Sequence, residues 1–180
     1  MLFYQLDAWV FRDELTYWCK KGYDYIGAPW FKKDMSGRLT YQLHSIGNGG
    51  FSLRKVAFCI KVLSNMSRWP LLTPEGVVKM TNGPFVEYLK IPFKIFGIRN
   101  NMRAFINGPD NRLPNEDALF AFQKYAYHKS YLPQVTEAIA FSFEANPSYL
   151  YRLNSNKLPF GCHAFKKFKF NKFWKKYIQE

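Results

Sequence analysis

Strand-like apolar runs and segments of helical period alternate along this chain, and that alternation points to an α/β arrangement. Residues 2–10 form an aromatic-rich run broken only by Gln5 and Asp7, which reads as a buried strand. Phe11, Leu15, Trp18 and Cys19 follow at helical spacing, with Gly22 placed as a left-handed stop. Residues 23–28 read as a second strand ended by Pro29, and the polar, aperiodic residues 31–46 as a loop. Gly47-Asn48-Gly49-Gly50 is the sharpest punctuation and leads into an extended Phe51-Ser52-Leu53. Val56, Cys59, Ile60 and Leu63 then mark one face of a helix. Residues 66–114, broken by Pro and Gly, assign no clear element. Asn115-Glu116-Asp117 opens a helix carrying Leu119, Phe120, Phe122 and Tyr125, and residues 138–143 read as a strand. Phe170, Phe173, Trp174, Tyr177 and Ile178 return to helical spacing, so a basic aromatic helix is expected at about 164–180. Without internal repeats or a Gly/Ser-rich linker, the 180 residues read as a single domain.

Composition narrows the function classes. Hydrophobic residues make up 48% and aromatics 19%, enough apolar surface to exclude a disordered chain. No stretch approaches the roughly 20 uncharged apolar residues that a membrane-spanning helix needs. The first residues lack the cationic leader and small-residue end of a secretory signal. Cys19, Cys59 and Cys162 are odd in number and form no CxxC pair, which argues against a disulfide scaffold or zinc finger. The net charge is +13, and residues 157–180 hold seven Lys against one Glu. Such a balance favours partners that carry phosphate: nucleotides, nucleic acid or anionic lipid.

Several residue groups are able to carry chemistry, each beside a plainer alternative. A carboxylate such as Asp7, at the end of a sheet strand, faces the crevice where α/β proteins bind ligands, or else caps a neighbouring helix. Residues 47–50 allow close backbone approach and offer N–H groups to anions, or form a plain turn; they match neither the Walker nor the Rossmann spacing. Glu116-Asp117 supplies paired carboxylates, one of them suited to general-base work, although helix position alone favours capping. His163 lies in a Gly-containing turn as a metal ligand or a packing residue. Cys162 beside it makes a poor nucleophile–base pair, since adjacent residues rarely face each other. The Lys-aromatic tail would bind nucleic acid or an anionic membrane, or pack its aromatic face on the core with lysines outside.

The order of these groups resembles the motif series of GT-A fold glycosyltransferases. Those enzymes carry a DxD strand end, a glycine-rich loop, an xED helix start and a late metal-binding His. YQLDAW, YDYIGAPW, GNGGFSLR, NEDALF, FSFE and PFGCHAF look like a domain-of-unknown-function family within that clan, over residues 2 to about 174. The resemblance implies a GT-A-like mixed sheet flanked by helices. It implies that Asp7, matching the last Asp of DxD, and His163 hold a divalent cation, Mn²⁺ or Mg²⁺, against a nucleotide diphosphate. Asp117 would be the base that deprotonates the acceptor, with Glu116 supporting it. Gln5 and Gly47, Asn48, Gly49 and Gly50 would shape the donor and acceptor pocket. Trp30 and Phe51 would offer an apolar platform for a sugar ring.

Two departures accompany the resemblance. Gln5 stands at the first DxD position, and the nucleotide-gripping βαβ portion expected before the DxD strand does not precede it, so a shortened GT-A domain is expected. The expected function is inverting, hexosyltransferase-like transfer of a sugar from a nucleotide-sugar to a glycan or lipid-linked acceptor hydroxyl. Its expected setting is cytoplasmic, with peripheral contact to anionic membrane and no nucleic-acid partner. The alternatives are a non-catalytic basic and aromatic module binding nucleic acid or anionic membrane, and an inactive glycosyltransferase remnant.

Overall fold

A computed structural model describes residues 1–66, 70, 74–81, 83–98, 100–101, 117, 120 and 131–179. The fold is mixed α/β, and the chain divides into two compact units. One comprises Met1–Lys55 and Tyr131–Glu180, the other Val56–Ser130.

In the first unit the strands form three small sheets. β6 (Phe51–Arg54) is the central strand of one, flanked antiparallel by β1 (Leu2–Tyr4) and β3 (Tyr25–Gly27). The register sets Leu2 and Ile26 on either side of Leu53. Every residue of β6 is buried, including Arg54. Its guanidinium lies 3.8 Å from the Phe3 ring centroid and donates to Ser52 Oγ at 3.0 Å, which satisfies a charge that burial would otherwise penalise. β2 (Trp9–Val10), β8 (Gly161–Cys162) and β7 (Ser142–Phe143) form the second sheet, with β2–β8 antiparallel and β7–β8 parallel. β4 (Pro29–Lys33) and β5 (Leu39–Ile46) form the third.

The opening run is therefore two strands in two sheets rather than one buried strand. A turn divides them, closed by Ala8 N–H donating to Gln5 O at 2.9 Å and Tyr4 Oη donating to Ala8 O at 2.8 Å. β1 is an edge strand, and Tyr4 is half-exposed. Residues 31–46 form a hairpin instead of a loop. Asp34 ties its turn by accepting from Ser36 N–H and Arg38 N–H at 2.9 and 3.0 Å, and Gly37 takes φ +79°. In its arms Lys32, Lys33, Leu39, Tyr41 and Gln42 are exposed, while Phe31 and Ile46 are buried. Pro29 begins β4 where a strand end was expected.

Helix α1 (Leu15–Lys20) buries Trp18 and is followed by Gly22 at φ +72°, the expected stop; Leu15 and Cys19 are exposed. The expected strand at 138–143 is mostly helix: α6 (Val135–Phe141) precedes the two residues of β7. Val135, Ala138 and Ile139 share a helical stripe, which a short apolar run conceals. α7 (Pro147–Leu153) follows. The expected C-terminal helix at 164–180 is also corrected. The tail is a series of turns with one three-residue 3-10 segment, Trp174–Lys176, because Ala164 and Lys169 adopt φ +52° and +59° and interrupt any helix. Its aromatic side nevertheless packs inward. Phe173, Trp174 and Ile178 join Phe143, Leu150 and Phe165 in one core cluster, while the tail lysines from 166 onward stay exposed. A second cluster unites Trp18, Ile26, Phe51, Leu53, Phe141 and Phe160.

The second unit is helical where it is described: α2 (Val56–Met66), α3 (Pro74–Met80), α4 (Phe85–Leu89) and α5 (Ile91–Ile95). α2 forms as expected but buries Phe58, Cys59 and Val62, leaving Val56, Ile60 and Leu63 exposed. Asp117 and Phe120 are helical, and Phe120 meets Phe58 edge-on at 6.5 Å. Among the described residues no helix is long and apolar enough to cross a membrane.

Candidate functional site

Strand pairing brings distant parts of the first unit to one place. β7 and β8 run parallel with Phe143 opposite Cys162, so the next residues, Glu144 and His163, emerge side by side at the carboxyl ends of two strands. That end of a parallel pair is where α/β sheets present ligand-binding groups. β2 runs antiparallel to β8 with Trp9 opposite Cys162, which carries the preceding turn, with Gln5 and Asp7, to the same end. His163 N–H donates to Phe143 O at 3.0 Å, and Phe165 N–H reaches Asp7 O at 3.4 Å.

The glycine loop forms the remaining wall. Gly47 and Asn48 N–H both reach Ala28 O, at 3.2 and 3.1 Å, and the buried Tyr25 hydroxyl donates to Gly47 O at 2.8 Å. Gly47 takes φ +140°, which only glycine adopts without strain. Gln5 N–H donates to Gly50 O at 3.0 Å, tying the loop to the Gln5–Asp7 turn. Gly50 is required for a second reason. A Cβ there would stand 2.2 Å from His163 Nε2, so the imidazole lies directly on the bare glycine.

Around this imidazole the polar groups converge. Nε2 is 2.8 Å from Gln5 Oε1 and 3.3 Å from Asp7 Oδ1. On the opposite edge Nδ1 is 3.3 Å from Glu144 Oε1, close but without hydrogen-bond alignment. Glu144 Oε2 accepts from Asn48 Nδ2 at 2.7 Å, and Asn48 Oδ1 accepts from Gly50 N–H at 3.1 Å. The His163 and Glu144 side chains are 12% and 16% exposed against 42% for Asp7, so the cluster opens to solvent on the Asp7 side.

Of the residues singled out in the sequence, the structure thus brings together Gln5, Asp7, Asn48, Gly50 and His163, with Gly47 and Gly49 supporting the loop. Gly49 O accepts from the buried Ser52 hydroxyl at 3.0 Å. Asp7 sits in a turn and not in a buried strand. Trp30 is half-buried on β4, opposite Ser45. Phe51 is corrected: it is fully buried against Phe141 and Phe160, with no face left for a sugar. Asp117 is helical and half-buried in the second unit, and Glu116 lies outside the described residues. Cys162 belongs to the aromatic core, and burial pushes its thiol far up, which removes it as a nucleophile at neutral pH. Glu144 is the member of this cluster to which sequence reasoning gave no role. Its signal was the single acid ending the apolar Phe141-Ser142-Phe143 run.

A family model described as a protein of unknown function (DUF5672) matches residues 1–163, a span that holds the entire cluster and ends on His163. The chain belongs to the DUF5672 family. No curated protein and no solved structure matches it.

The donor set of this DUF5672 member suits one kind of cation mount. Ligand distances near 2.1 Å at right angles place neighbouring donors about 3 Å apart, close to the Asp7–His163 spacing. Among the described residues no group of three or more His, Cys, Asp and Glu side chains is arranged to hold a metal by itself. A carboxylate, an imidazole and the Gln5 carbonyl are instead a partial set, of the kind that Mg²⁺ or Mn²⁺ completes with water and substrate phosphate.

Proposed function

We propose that this chain is a metal-dependent glycosyltransferase of GT-A type, moving a sugar from a nucleotide-sugar to an acceptor hydroxyl with inversion. The observation that carries the reading is the Asp7–His163 pair, 3.3 Å apart, with His163 at the carboxyl end of β8, Asp7 in the turn before β2, and the glycine loop beside them. Asp7, His163 and the Gln5 carbonyl are the residues that would hold the divalent cation. When bound, that cation neutralises the diphosphate as the sugar–phosphate bond breaks. The backbone of residues 47–50 borders this mount, with Gly50 under the imidazole and Asn48 bonded to Glu144. By its match to the xED motif, Asp117 of the second unit would be the general base for the acceptor hydroxyl, with Glu116 in support, a role that rests on the resemblance alone.

Thermal unfolding with a panel of nucleotide-sugars, each with and without Mn²⁺, tests this reading. A ligand at about 100 times its dissociation constant adds about 2.7 kcal/mol of stability. A rise in midpoint requiring both Mn²⁺ and one nucleotide-sugar, and lost in Asp7→Asn, is expected. Equal midpoints for every pair contradict the assignment.

The exposed tail lysines favour a second role alongside the first. Lys166, Lys167, Lys169, Lys172, Lys175 and Lys176 face solvent while Phe173 and Trp174 are buried, which suits contact with an anionic lipid surface better than stacking on bases. Sedimentation with phosphatidylserine vesicles should fall steeply with added salt, and binding indifferent to salt would contradict this role.

A further inference from the structure

Both nitrogens of His163 face oxygen atoms, and this bears on which of them is free to bind a cation. A metal-ligating imidazole must present a bare nitrogen, and the opposite N–H is commonly fixed by a carboxylate that sets tautomer and ring orientation. The edge of His163 that carries Nδ1 is turned towards Glu144 Oε1 at 3.3 Å. Nδ1 is buried and makes no aligned hydrogen bond to any protein atom. Glu144 is itself held in place, because Asn48 Nδ2 donates to its other oxygen at 2.7 Å and Asn48 Oδ1 is fixed by Gly50 N–H. The same Gly50 supports the ring from below. One loop, residues 47–50, therefore holds both the imidazole and the carboxylate that faces it.

We infer that Glu144 is the positioning residue for His163. It holds the proton on Nδ1, so that Nε2 faces Asp7 with its lone pair available to a divalent cation. Gln5 is compatible with this, since turning its amide end for end offers an N–H to Nε2 in the metal-free protein and leaves the carbonyl free for the cation once it binds. Asn48 completes the relay: the loop residue that the sequence marks as part of a substrate pocket acts through Glu144 on the imidazole. The inference rests on the reading of Asp7 and His163 as a metal centre, and it adds a residue outside that pair.

Two measurements on the full chain separate this inference from the reading beneath it. The first is the tautomer of His163 in metal-free, ¹⁵N-histidine-labelled protein, read from its ring nitrogen shifts at a pH where the imidazole is neutral. Wild type should show the Nδ1–H form, and Glu144→Ala should shift the population towards Nε2–H. The second is calorimetric titration with Mn²⁺ alone. Glu144→Ala should weaken binding about 10- to 100-fold, and Glu144→Gln, which keeps volume and one acceptor, should weaken it less. Circular dichroism confirms that each variant is folded, and Glu144→Gln carries the test if Glu144→Ala is not. An Nε2–H form in wild type, or unchanged Mn²⁺ affinity in both variants, overturns the role of Glu144. Mn²⁺ binding that is absent from wild type, or indifferent to Asp7→Asn and His163→Ala, overturns the metal centre itself, while the tautomer still reports on Glu144.

Discussion

Two glycines of the first unit each lie flat against a ring, and the contrast between them separates what holds the fold from what builds the site. A Cβ on Gly161 would stand 2.4 Å from the Phe51 ring and 2.9 Å from Trp9 O, whereas the three atoms nearest a Cβ on Gly50 all belong to the His163 imidazole, the first at 2.2 Å. Neither glycine has a positive φ, so crowding alone makes each necessary. At Gly161 the neighbours are a fully buried ring and a backbone carbonyl of the paired strand, neither of which has room to move. At Gly50 the neighbour is a polar side chain held by Gln5 and Glu144. One contact closes an aromatic core, and the other seats a candidate ligand.

Substitutions should break this symmetry in a fixed order. Phe51→Ala should be the most damaging, since it empties the centre of a cluster that includes Phe141 and Phe160. A loss of about 3–5 kcal/mol is expected by urea unfolding. Gly161→Ala comes next, at about 1–3 kcal/mol, because a strand pair must part to admit the methyl. Gly50→Ala should cost less stability than Gly161→Ala yet weaken Mn²⁺ binding at least 10-fold, by pushing the imidazole off its seat. A double-mutant cycle sharpens the comparison: in a His163→Ala background the stability cost of Gly50→Ala should largely vanish. An unchanged cost would show that the crowding there is not with the ring.

The smallest expected effect lies away from both glycines. Glu137 is held below its ordinary 4.5, first by the hydrogen bond from Tyr23 and then by Lys21, against the opposing effect of burial. A depressed carboxylate contributes stability above its unfolded value and loses it as pH falls through its folded one. Glu137→Gln should therefore lower the thermal midpoint slightly at neutral pH, with the difference from wild type closing below about pH 4.5, so that the acid decline flattens. An equally steep acid decline in the variant would remove Glu137 as its source.

Much of this was legible in the sequence where a local rule decides the outcome. Gly22 stops a helix because only glycine readily takes its positive φ, and Gly47 turns the chain into the 47–50 loop for the same reason. The acid Asp7 and His163 stood out because polar groups among apolar neighbours need partners. What the sequence hid depends on partners far along the chain. Residues 31–46 form a hairpin: Leu39, Tyr41 and Leu43 alternate with Thr40, Gln42 and His44 as a strand requires, but the facing Phe31-Lys32-Lys33 is too short to show a period of its own. The stripe of α2 centred on Val56, Ile60 and Leu63 is as periodic as the buried one through Phe58, Cys59 and Val62, and periodicity does not say which faces a core. Glu144 ends the FSFE motif without a role of its own there; the parallel register that sets it beside His163 supplies one.

The central claim is that His163 and Asp7 hold a divalent cation together. Pulsed electron paramagnetic resonance of Mn²⁺ bound to the ¹⁵N-histidine-labelled chain in the presence of a nucleoside diphosphate tests it most directly. The account predicts a ¹⁵N coupling to the Mn²⁺ that disappears in His163→Ala, together with weakened Mn²⁺ binding in Asp7→Asn. Bound Mn²⁺ without nitrogen coupling, or with a coupling that survives His163→Ala, would contradict it.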